Sequence, residues 1–349
     1  MEEIKITLDK KINDSYTILI KQNVSSMVID FLKTKKLGNK YAIITDSTVV
    51  KLYGFALKKF LKNNEINCEI FSFEKGEEAK KLQTIENLAK EMIEKKFDRK
   101  DAIIALGGGV CGDLAGFLAS IYMRGIPFIQ IPTTLLAMVD ASIGGKTGVN
   151  LTSGKNLIGT FYQPKAVFID INYLKTLSLS HIRNGLAEII KCGVIKDKIL
   201  FETIEKNLNK ILKLEPNILN EIIKKSVKIK TEIVEKDEKE KDLRKILNYG
   251  HSFGHIIEKQ SAYKLLHGYA ISIGMIIANK IAVDKKLLKE EIAERIKNLI
   301  KNAGLPITTI KTPTIKDLVT DKKKQGNYID LIFPTTIGKV VIRKEKINV

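Results

Sequence analysis

Hydrophobic residues follow two different patterns along this chain. In the first half, short runs rich in β-branched residues alternate with longer amphipathic stretches, such as those at 79–96 and 110–123. Short strands that alternate with helices predict β-α-β units around a mostly parallel sheet, which binds ligands beyond the carboxyl ends of its strands. The runs that we predict to be strands are 41–45, 68–73, 102–106, 128–131 and 167–169.

The second half has a helical pattern from about residue 180 to about residue 304, with apolar residues spaced three and four apart. Pro216 interrupts this pattern, which predicts the end of one helix and the start of the next. Two strand-like runs, 328–333 and 340–343, follow. The predicted fold class is therefore an α/β N-terminal domain with a mostly parallel, Rossmann-like sheet over 1–178, followed by a mainly α-helical C-terminal domain over 179–349.

Composition narrows the functional classes. The 349 residues are 44% hydrophobic and 28% charged, which is typical of a globular protein. Lys and Arg total 59 against 40 Asp and Glu, so the formal net charge is +19 and favours nucleic acid, a membrane surface or a small anion as partner. Only six of the 59 are arginine, the residue that nucleic-acid readers prefer, so we expect most lysines to lie on solvated helix faces.

The cysteines and the apolar runs bear on the compartment. Three cysteines, an odd number without a CxxC pair, favour a reduced, cytoplasmic location. No run of about 18 uninterrupted apolar residues occurs, so we expect no membrane-spanning helix. The first residues also lack the apolar core of a signal peptide.

A glycine-rich turn follows the predicted strand 102–106. Residues 107–112 read GGGVCG, which satisfies GxGxxG and precedes a helical run whose N–H groups could bind phosphate. A tight strand-to-helix turn without a ligand would have the same sequence. The acid expected about twenty residues later is missing, but Asp46 and Thr48 follow an earlier strand. We therefore expect a nucleotide site whose layout differs from the usual Rossmann turn.

Three of the four histidines, His251, His255 and His267, lie close together in the sequence. His251 and His255 are four apart and share a helix face, so they could hold a divalent cation with Glu188 as a third ligand. The Glu of a metalloprotease HExxH motif is absent, which disfavours a peptidase. The alternatives are ordinary structural histidines and a simple ion pair between Glu188 and Lys191.

The segment 132–164 is rich in glycine, and Lys146 and Lys155 each follow a glycine directly. Asp140 and Asn156 add a carboxylate and an amide. Lysines beside closely approaching backbone suit a phosphate or a small polyanion. We expect a long loop or hairpin here, and loops of this length in compact domains are usually functional.

These features occur together in one family. The chain resembles the 3-dehydroquinate synthases of the shikimate pathway in an ordered series of motifs from 46 to 323. The resemblance implies a homodimeric enzyme that uses NAD and a divalent metal, Zn²⁺ or Co²⁺. The implied reaction converts 3-deoxy-D-arabino-heptulosonate 7-phosphate into 3-dehydroquinate and phosphate. The matching strings are KGEEAK, GGGVCGDLAGF, YMRG, IPTTLLAMVDASIGGKTGVN, GKNLIGTFYQP, GLAEIIK, LRKILNYGHSFGH and HG at 267–268.

The resemblance also implies roles for the residues that match these motifs. Glu188, His251 and His267 would hold the metal, His255 would act in proton transfer, and Arg124 would reach the phosphate site of the neighbouring subunit. The other catalytic and substrate-binding residues would be Asp140, Lys146, Asn156, Lys191, Lys230, Arg244, Asn248 and one lysine of 322–324, taken as Lys323, with Lys146, Asn156, Arg244, Asn248 and Lys323 near the phosphate. The nucleotide would contact Asp46, Thr48, Lys75, Gly76, Glu77, Glu78, Ala79, Lys80, Gly109, Val110, Cys111, Gly112, Asp113, Thr133, Thr134, Lys146, Lys155, Tyr173, Leu174, Lys175 and Thr176.

Three alternatives stay open at this point. Another sugar phosphate cyclase, such as a 2-deoxy-scyllo-inosose synthase or a valiolone-type cyclase, would share NAD, the metal and most motifs. A metal-dependent polyol dehydrogenase would release NADH into solution. A nucleic-acid-binding protein is supported only by the net charge of +19, because the chain shows no recognisable nucleic-acid-binding motif. We therefore expect a phosphorylated sugar acid as the partner, and neither nucleic acid nor a membrane.

Overall fold

The computed structural model describes residues 13–320 and 328–346. The described part consists of an α/β region with a central sheet and a helical region that ends in a small hairpin. Lys323, the predicted phosphate ligand, and its neighbours Lys322 and Lys324 lie outside the described residues.

Parallel strands form the central sheet. Strands in the described residues are β1 (Thr17–Ile20), β2 (Tyr41–Asp46), β3 (Cys68–Phe73), β4 (Ala102–Gly107), β5 (Phe128–Pro132), β6 (Lys146–Leu151), β7 (Gly154–Phe161), β8 (Ala166–Ile169), β9 (Tyr328–Thr336) and β10 (Lys339–Lys346). Six of them join in the order β1-β8-β5-β4-β2-β3, and each pair of neighbours runs parallel. The four inner strands are almost entirely buried, because helices cover both faces, and this explains their uninterrupted apolar runs.

The structure adds one strand to the five that the sequence predicts for this sheet. β1 has only four residues and pairs with β8 at the edge, Thr17 opposite Ala166. Its residues are exposed or only partly buried, unlike those of the equally short but fully buried β8, which the sequence predicts. Its partner is also distant in the sequence, so only the folded chain shows the pairing.

Helices pack on both faces of the sheet and then form the second region. Ile44 packs with α3 (Leu82–Glu94) and α4 (Gly109–Ile121), whereas the adjacent Ile43 packs with α1 (Ser25–Lys35), because side chains alternate across a strand. Helices in the described residues are α1 (Ser25–Lys35), α2 (Phe55–Asn63), α3 (Leu82–Glu94), α4 (Gly109–Ile121), α5 (Leu179–Ile195), α6 (Lys198–Leu212), α7 (Pro216–Lys236), α8 (His251–Gln260), α9 (His267–Asp284) and α10 (Glu290–Asn302).

The segment 132–164 forms the antiparallel hairpin of β6 and β7. Gly148 and Gly159 face each other across it, and a β-carbon on Gly159 would lie 2.0 Å from the Thr147 carbonyl oxygen. Only glycine permits so close an approach of the two backbones. A single π-helical turn, Ala137–Ala141, precedes the hairpin and packs against α7.

Helices α5 to α10 enclose one apolar core, to which Leu186, Phe201 and Phe333 contribute. Pro216 is the first residue of α7, as predicted, since the first helical position needs no N–H donor. The two strands predicted near the end of the chain pair antiparallel as β9 and β10. The predicted fold class is confirmed, and the division at 178/179 stays a prediction, although α5 begins at Leu179.

The structure bears on two further expectations, the absence of a membrane-spanning helix and the state of the cysteines. Within residues 13–320 and 328–346, no helix is long and apolar enough to cross a membrane. Cys68, Cys111 and Cys192 are buried free thiols. Burial raises the pKa of all three, to about 11 for Cys68 and about 12 for Cys192, so these thiols stay protonated and unreactive.

Candidate active site

Three parallel strands end at one edge of the sheet, and their last residues begin a candidate nucleotide site. β2 ends at Asp46, β4 at Gly107 and β5 at Pro132. Asp46 Oδ1 accepts hydrogen bonds from the backbone N–H groups of Thr48, at 2.8 Å, and Val49, at 3.0 Å. Its second oxygen lies 3.8 Å from the position that a Gly107 β-carbon would take. The fold therefore brings the acid of β2 next to the glycine turn.

Both interpretations of the glycine motif have a basis in the turn after β4. A β-carbon on Gly107 would lie 2.5 Å from the Cys111 β-carbon, so glycine is required there for packing. α4 begins at Gly109, and the first N–H groups of a helix have no partner within the helix. Cys111 fits the turn, because its Sγ donates to the Ile44 carbonyl oxygen at 3.2 Å.

A buried lysine connects the glycine turn to the hairpin. Lys80 donates from Nζ to the Asp113 carboxylate in α4 and, at 2.5 Å, to Asn156 Oδ1 in β7. Asn150 Nδ2 donates to Glu77 Oε1 at 2.8 Å, which joins the turn after β3 to the same hairpin. Burial raises the pKa of Asp113, although the Lys80 charge opposes that shift. Four predicted nucleotide or substrate residues thus lie in one hydrogen-bonded cluster.

The predicted nucleotide residues 173–176 lie in a short 3₁₀ helix, Ile171–Thr176, directly after β8. Tyr53 packs against it, with its ring centroid 4.6 Å from that of Tyr173 in an edge-to-face arrangement. The Tyr53 hydroxyl also forms a hydrogen bond with Thr176 Oγ1. Sequence reasoning missed Tyr53, because it carries no motif and lies over a hundred residues from its partners.

Three helices supply a group of side chains that could hold a metal ion. Glu188 of α5, His251 of α8 and His267 of α9 each offer one ligand atom, and these atoms all lie within 4.8 Å of one another. Both histidines turn Nε2 toward Glu188 Oε1, at 3.5 Å for His251 and 3.4 Å for His267. The structure therefore brings together the three residues that the family resemblance implies.

The chemistry of this group fits a divalent metal. Glu188 Oε1 is buried and has no hydrogen-bond partner among the described residues, whereas the other oxygen forms an ion pair with Lys191. An unpartnered buried oxygen of this kind is costly unless a ligand satisfies it. One carboxylate oxygen with two imidazole nitrogens matches a zinc or cobalt site that keeps a position open for substrate.

The charged neighbours of the metal group shift the pKa values of His267, Glu258 and Glu188 toward their ionised forms. Burial lowers the pKa of His267, but the two flanking carboxylates, Glu188 and Glu258, outweigh burial and raise it to about 10. Burial raises the pKa of Glu258, but His267 and the Lys155 charge outweigh it and lower the pKa to about 2. Burial likewise disfavours ionised Glu188, and the charge of Lys191 brings its pKa below the usual value. Metal binding must therefore displace a proton from His267.

His255 lies beside the metal group and not within it. Its ring centroid is 5.6 Å from that of His251 and 6.4 Å from that of His267. Sequence spacing alone leaves the pair His251 and His255 open as two ligands. The start of α9 instead brings His267 to the position opposite Glu188, so the third member comes from tertiary structure.

Buried cations extend from the metal group toward the hairpin. Lys191, Lys230 and Arg244 are 1%, 6% and 2% exposed. Lys230 Nζ donates to Asp140 Oδ1 at 2.5 Å and to the Asp140 carbonyl oxygen at 2.7 Å. Burial disfavours ionised Asp140, but the charges of Lys230 and Lys191 outweigh burial and lower its pKa. Arg244 donates from Nη2 to the Gly144 carbonyl oxygen at 3.2 Å.

Two residues absent from the predicted set help to form this pocket. Glu240 pairs with Lys146 Nζ and accepts a hydrogen bond from Asn248 Nδ2 at 2.5 Å, so it connects two predicted substrate residues. The Tyr16 hydroxyl accepts a hydrogen bond from the Gly144 N–H at 3.1 Å. Neither belongs to a recognisable local motif, so the sequence carried no signal for either residue.

Arg124 lies away from this cluster. It is exposed, in the short 3₁₀ segment Tyr122–Arg124 that follows α4. α4 starts at the glycine turn, and a helix of 13 residues spans about 20 Å at 1.5 Å per residue. Arg124 is therefore at the end of α4 that points away from this chain's own site.

Comparison with known proteins gives consistent matches over the chain. Two family models match adjacent parts, 3-dehydroquinate synthase N-terminal over 70–184 and 3-dehydroquinate synthase C-terminal over 185–325. A 3-dehydroquinate synthase of Prochlorococcus marinus subsp. pastoris is 47% identical over 338 residues, which cover 95% of this chain and 93% of the relative.

Two solved structures of cyclases share the fold. One is ValA, the 2-epi-5-epi-valiolone synthase of Streptomyces hygroscopicus subsp. jinggangensis, with NAD⁺ and Zn²⁺ bound; its TM-score is 0.89 at 29% identity, covering 98% of this chain and 95% of that one. The other is a 2-deoxy-scyllo-inosose synthase with carbaglucose-6-phosphate, NAD⁺ and Co²⁺; its TM-score is 0.85 at 28% identity, covering 94% and 93%. Both structures therefore combine a dinucleotide with a divalent metal on this architecture.

Proposed function

The chain belongs to the 3-dehydroquinate synthase family, and from this premise we propose that it converts 3-deoxy-D-arabino-heptulosonate 7-phosphate into 3-dehydroquinate and phosphate. It is an NAD- and metal-dependent enzyme that acts on a phosphorylated sugar. The observation that carries the choice of substrate is the 47% identity over 95% of the chain to a 3-dehydroquinate synthase, against 29% and 28% to the two other cyclases. The proposed sequence is transient oxidation at C5, phosphate elimination, re-reduction, ring opening and aldol closure.

The metal ligands in this proposal are Glu188, His251 and His267. Support comes from the 4.8 Å grouping of their ligand atoms and from the unpartnered, buried Glu188 Oε1. When bound, a divalent metal polarises a substrate hydroxyl and NAD takes up and returns a hydride. Two of the proposed ligands are held in place by neighbouring groups. Lys191 forms an ion pair with the second carboxylate oxygen of Glu188, and the Tyr249 carbonyl oxygen lies 3.2 Å from His251 Nδ1.

Cationic side chains of both regions bind the anionic ends of the substrate. Arg244 uses part of its five-donor fork on the Glu238 and Gly144 carbonyl oxygens, so it is held rigidly while other N–H groups can meet a carboxylate or phosphate. Lys191 and Lys230 are both buried and paired with carboxylates. Burial lowers the pKa of Lys191, but Glu188 and Asp140 outweigh burial and raise it, whereas burial outweighs Asp140 and lowers the pKa of Lys230. Lys146, Asn156 and Asn248 complete the set, with Asp140 as the carboxylate that orients Lys230.

His255 is the proposed group for proton transfer. Its ring lies within 6.4 Å of both histidines of the metal group, measured between centroids, so it is next to the place where a metal-bound substrate would lie. Imidazole can take up and release a proton at neutral pH without help from an unusual environment.

We assign the dinucleotide to the carboxyl edge of the sheet. Asp46 and the turn at Gly109 are adjacent there, and Lys80 links Asp113 of this turn to Asn156 of the hairpin. The other predicted contacts lie in the turn after β3, the start of the segment after β5 and the 3₁₀ helix after β8. The hydride-carrying end of the dinucleotide would then point toward α5, α8 and α9.

We further infer a homodimer in which Arg124 serves the partner's phosphate site. Arg124 points away from its own site, and beside it Leu82, Ile93, Ile121 and Met123 are exposed apolar side chains around a groove of about 530 Å³. A patch of this kind next to a charged residue suits a second copy of the chain. Light scattering should give the dimer mass for the native protein and the monomer mass for Met123→Asp combined with Ile121→Asp. A monomeric native protein would contradict the assignment.

Two broader parts of the proposal concern organisation and location. The chain divides into a nucleotide-binding domain, 1–178, and a metal- and substrate-binding domain, 179–349, which agrees with the start of α5 at Leu179. We place the enzyme in the cytoplasm, since three buried, free cysteines suit a reducing compartment.

The substrate assignment is tested with enzyme loaded with NAD and metal. We expect phosphate release from the heptulosonate phosphate and no accumulation of NADH, because the cofactor is restored within each turnover. Steady NADH formation would identify a dehydrogenase instead. Phosphate release from glucose 6-phosphate alone, the parent of the carbaglucose ligand above, would identify another cyclase.

A further inference from the structure

Glu258 lies on the far side of His267 from the metal group. His267 Nε2 faces Glu188 at 3.4 Å, and the opposite ring nitrogen, Nδ1, lies 3.6 Å from Glu258 Oε2. The Glu258 side chain is only 3% exposed. His267 is thus placed between two buried carboxylates, one on each side of the ring.

A neutral imidazole carries one proton, so only one of its two ring nitrogens is available to bind a metal. If Nε2 binds the metal, Nδ1 carries the proton and needs an acceptor, which also fixes the plane of the ring. For His251 that acceptor is the Tyr249 carbonyl oxygen, 3.2 Å from Nδ1. For His267 the carboxylate of Glu258 is in the corresponding place.

Glu258 is itself held from the other region of the molecule. Lys155 of β7 donates from Nζ to Glu258 Oε1 at 2.9 Å, and the same ammonium lies 4.6 Å from the Tyr263 ring centroid. The next residue of the hairpin, Asn156, accepts the hydrogen bond from Lys80. A continuous series of contacts therefore runs from the glycine turn through the hairpin to His267.

We propose that Glu258 is a positioning residue that orients His267 toward the metal, and that Lys155 makes this orientation depend on the position of the β6–β7 hairpin. The proposal rests on the metal ligands assigned above. It gives Lys155 a role in the metal centre although Lys155 lies on the nucleotide side and cannot itself bind a metal. The competing explanation is a purely structural ion pair between the hairpin and α8.

The distinguishing measurement is the affinity of the apoprotein for Zn²⁺, obtained by competition with a chromophoric chelator in the absence of NAD. Loss of the outer partner of a metal-binding histidine typically weakens metal binding about 10- to 100-fold, so Glu258→Gln should fall in this range. Lys155→Met keeps the aliphatic stem and removes the charge, and it should weaken binding several-fold. The double variant should be no weaker than Glu258→Gln alone, because both changes act on one contact.

Glu77→Gln is the matched control. Glu77 is a second carboxylate near Lys155 Nζ, at 3.7 Å, so the variant makes the same chemical change on a partner of Lys155 that forms no ion pair with His267 among the described residues. Its Zn²⁺ affinity should equal that of the native protein. The visible spectrum of the Co²⁺ form adds a readout that a structural ion pair would not change, and we expect a shifted spectrum for Glu258→Gln and for Lys155→Met.

The outcomes separate this proposal from the ligand assignment. Native Zn²⁺ affinity in Glu258→Gln, with weakened binding in His251→Ala, would overturn the role of Glu258 alone. Native affinity in both variants would overturn the metal site itself. If Glu258→Gln does not fold, Lys155→Met decides, since Lys155 is partly exposed and its loss leaves the core intact; an unchanged affinity there contradicts the link to the hairpin.

Discussion

The two sides of the candidate active site use different chemical groups. The proposed nucleotide side consists of turns at the carboxyl ends of parallel strands, where glycines permit close packing and a helix begins with N–H groups that have no partner within the helix. The metal and substrate side consists of ionised side chains on buried helix surfaces, among them Glu188 and Lys191, each 1% exposed. In the proposed assignment, main-chain groups therefore contribute more on the nucleotide side and side-chain charge contributes more on the metal and substrate side.

This difference indicates which side of the site lowers the stability of the fold in order to bind ligands. Backbone donors at strand ends and helix starts result from folding itself, so the nucleotide side adds little to the cost of the fold apart from the ion pair of the buried Lys80 with Asp113. A buried ion pair is often no more stable than apolar residues of similar volume, because desolvation offsets the attraction. The buried charges of the helical region are therefore explained by the anionic substrate and the metal, and not by stability.

The largest expected effect comes from removing a metal ligand. Glu188→Ala and His251→Ala should weaken metal binding by at least about 100-fold, beyond the usual effect of an outer partner, and reduce activity to background. Glu188→Ala should also lower the free energy of unfolding by about 3–5 kcal/mol, because Lys191 stays buried without its partner. Metal content, phosphate release and denaturant unfolding measure the three effects.

The double variant Glu188→Ala with Lys191→Met separates these effects. Removing both charges should recover most of the lost stability while metal binding stays absent. A variant that regains stability and metal together would contradict the ligand role of Glu188. A fully active, metal-replete His251→Ala enzyme would equally contradict the ligand role of His251, and with it the difference proposed between the two sides.

A smaller and more selective effect is expected for Arg244→Ala. Truncating a buried charged donor costs about 2–5 kcal/mol of binding, so the dissociation constant for substrate should rise at least about 30-fold. NAD binding should change little, because Arg244 contacts the Gly144 region and not the glycine turn. Calorimetry with each ligand tests this, with Arg343→Ala, an exposed arginine of β10, as the matched control. Equal losses for both ligands would place Arg244 outside the substrate pocket.

The smallest expected effect tests the nucleotide side. In Gly107→Ala the new β-carbon would lie 2.5 Å from the Cys111 β-carbon and force the turn to shift. Overpacking of this kind costs about 1–3 kcal/mol. The turn relieves it by leaving the conformation that binds the nucleotide, so restoring that conformation on binding should raise the NAD dissociation constant about fivefold or more. Zn²⁺ affinity should not change. A weakened metal site with native NAD binding would reverse the comparison between the two sides.

Sequence reasoning worked best where local pattern and local structure coincide. The five predicted sheet strands, the helix start at Pro216 and the hairpin in 132–164 follow from periodicity, proline and glycine. β1 was not predicted, because its four residues lie at the edge of the sheet and carry no clear pattern. The charged run 235–245 contains Glu240 and the buried Arg244, and charge composition alone does not show which of its side chains point into the site.

The sequence by itself determined the order of elements, the fold class and, through its motifs, the family and the residues most closely tied to chemistry. Tertiary structure decided which histidine faces Glu188, because the start of α9 and not the i, i+4 spacing on α8 brings the ring there. Tertiary structure also decided that Tyr16, Glu240 and Glu258 are partners of site residues. For two of them the partner lies 100 residues or more away in the sequence, in the contacts Tyr16–Gly144 and Lys155–Glu258. Periodicity and spacing report only on neighbours within a few residues, whereas a buried charge must find its partner wherever the fold places one.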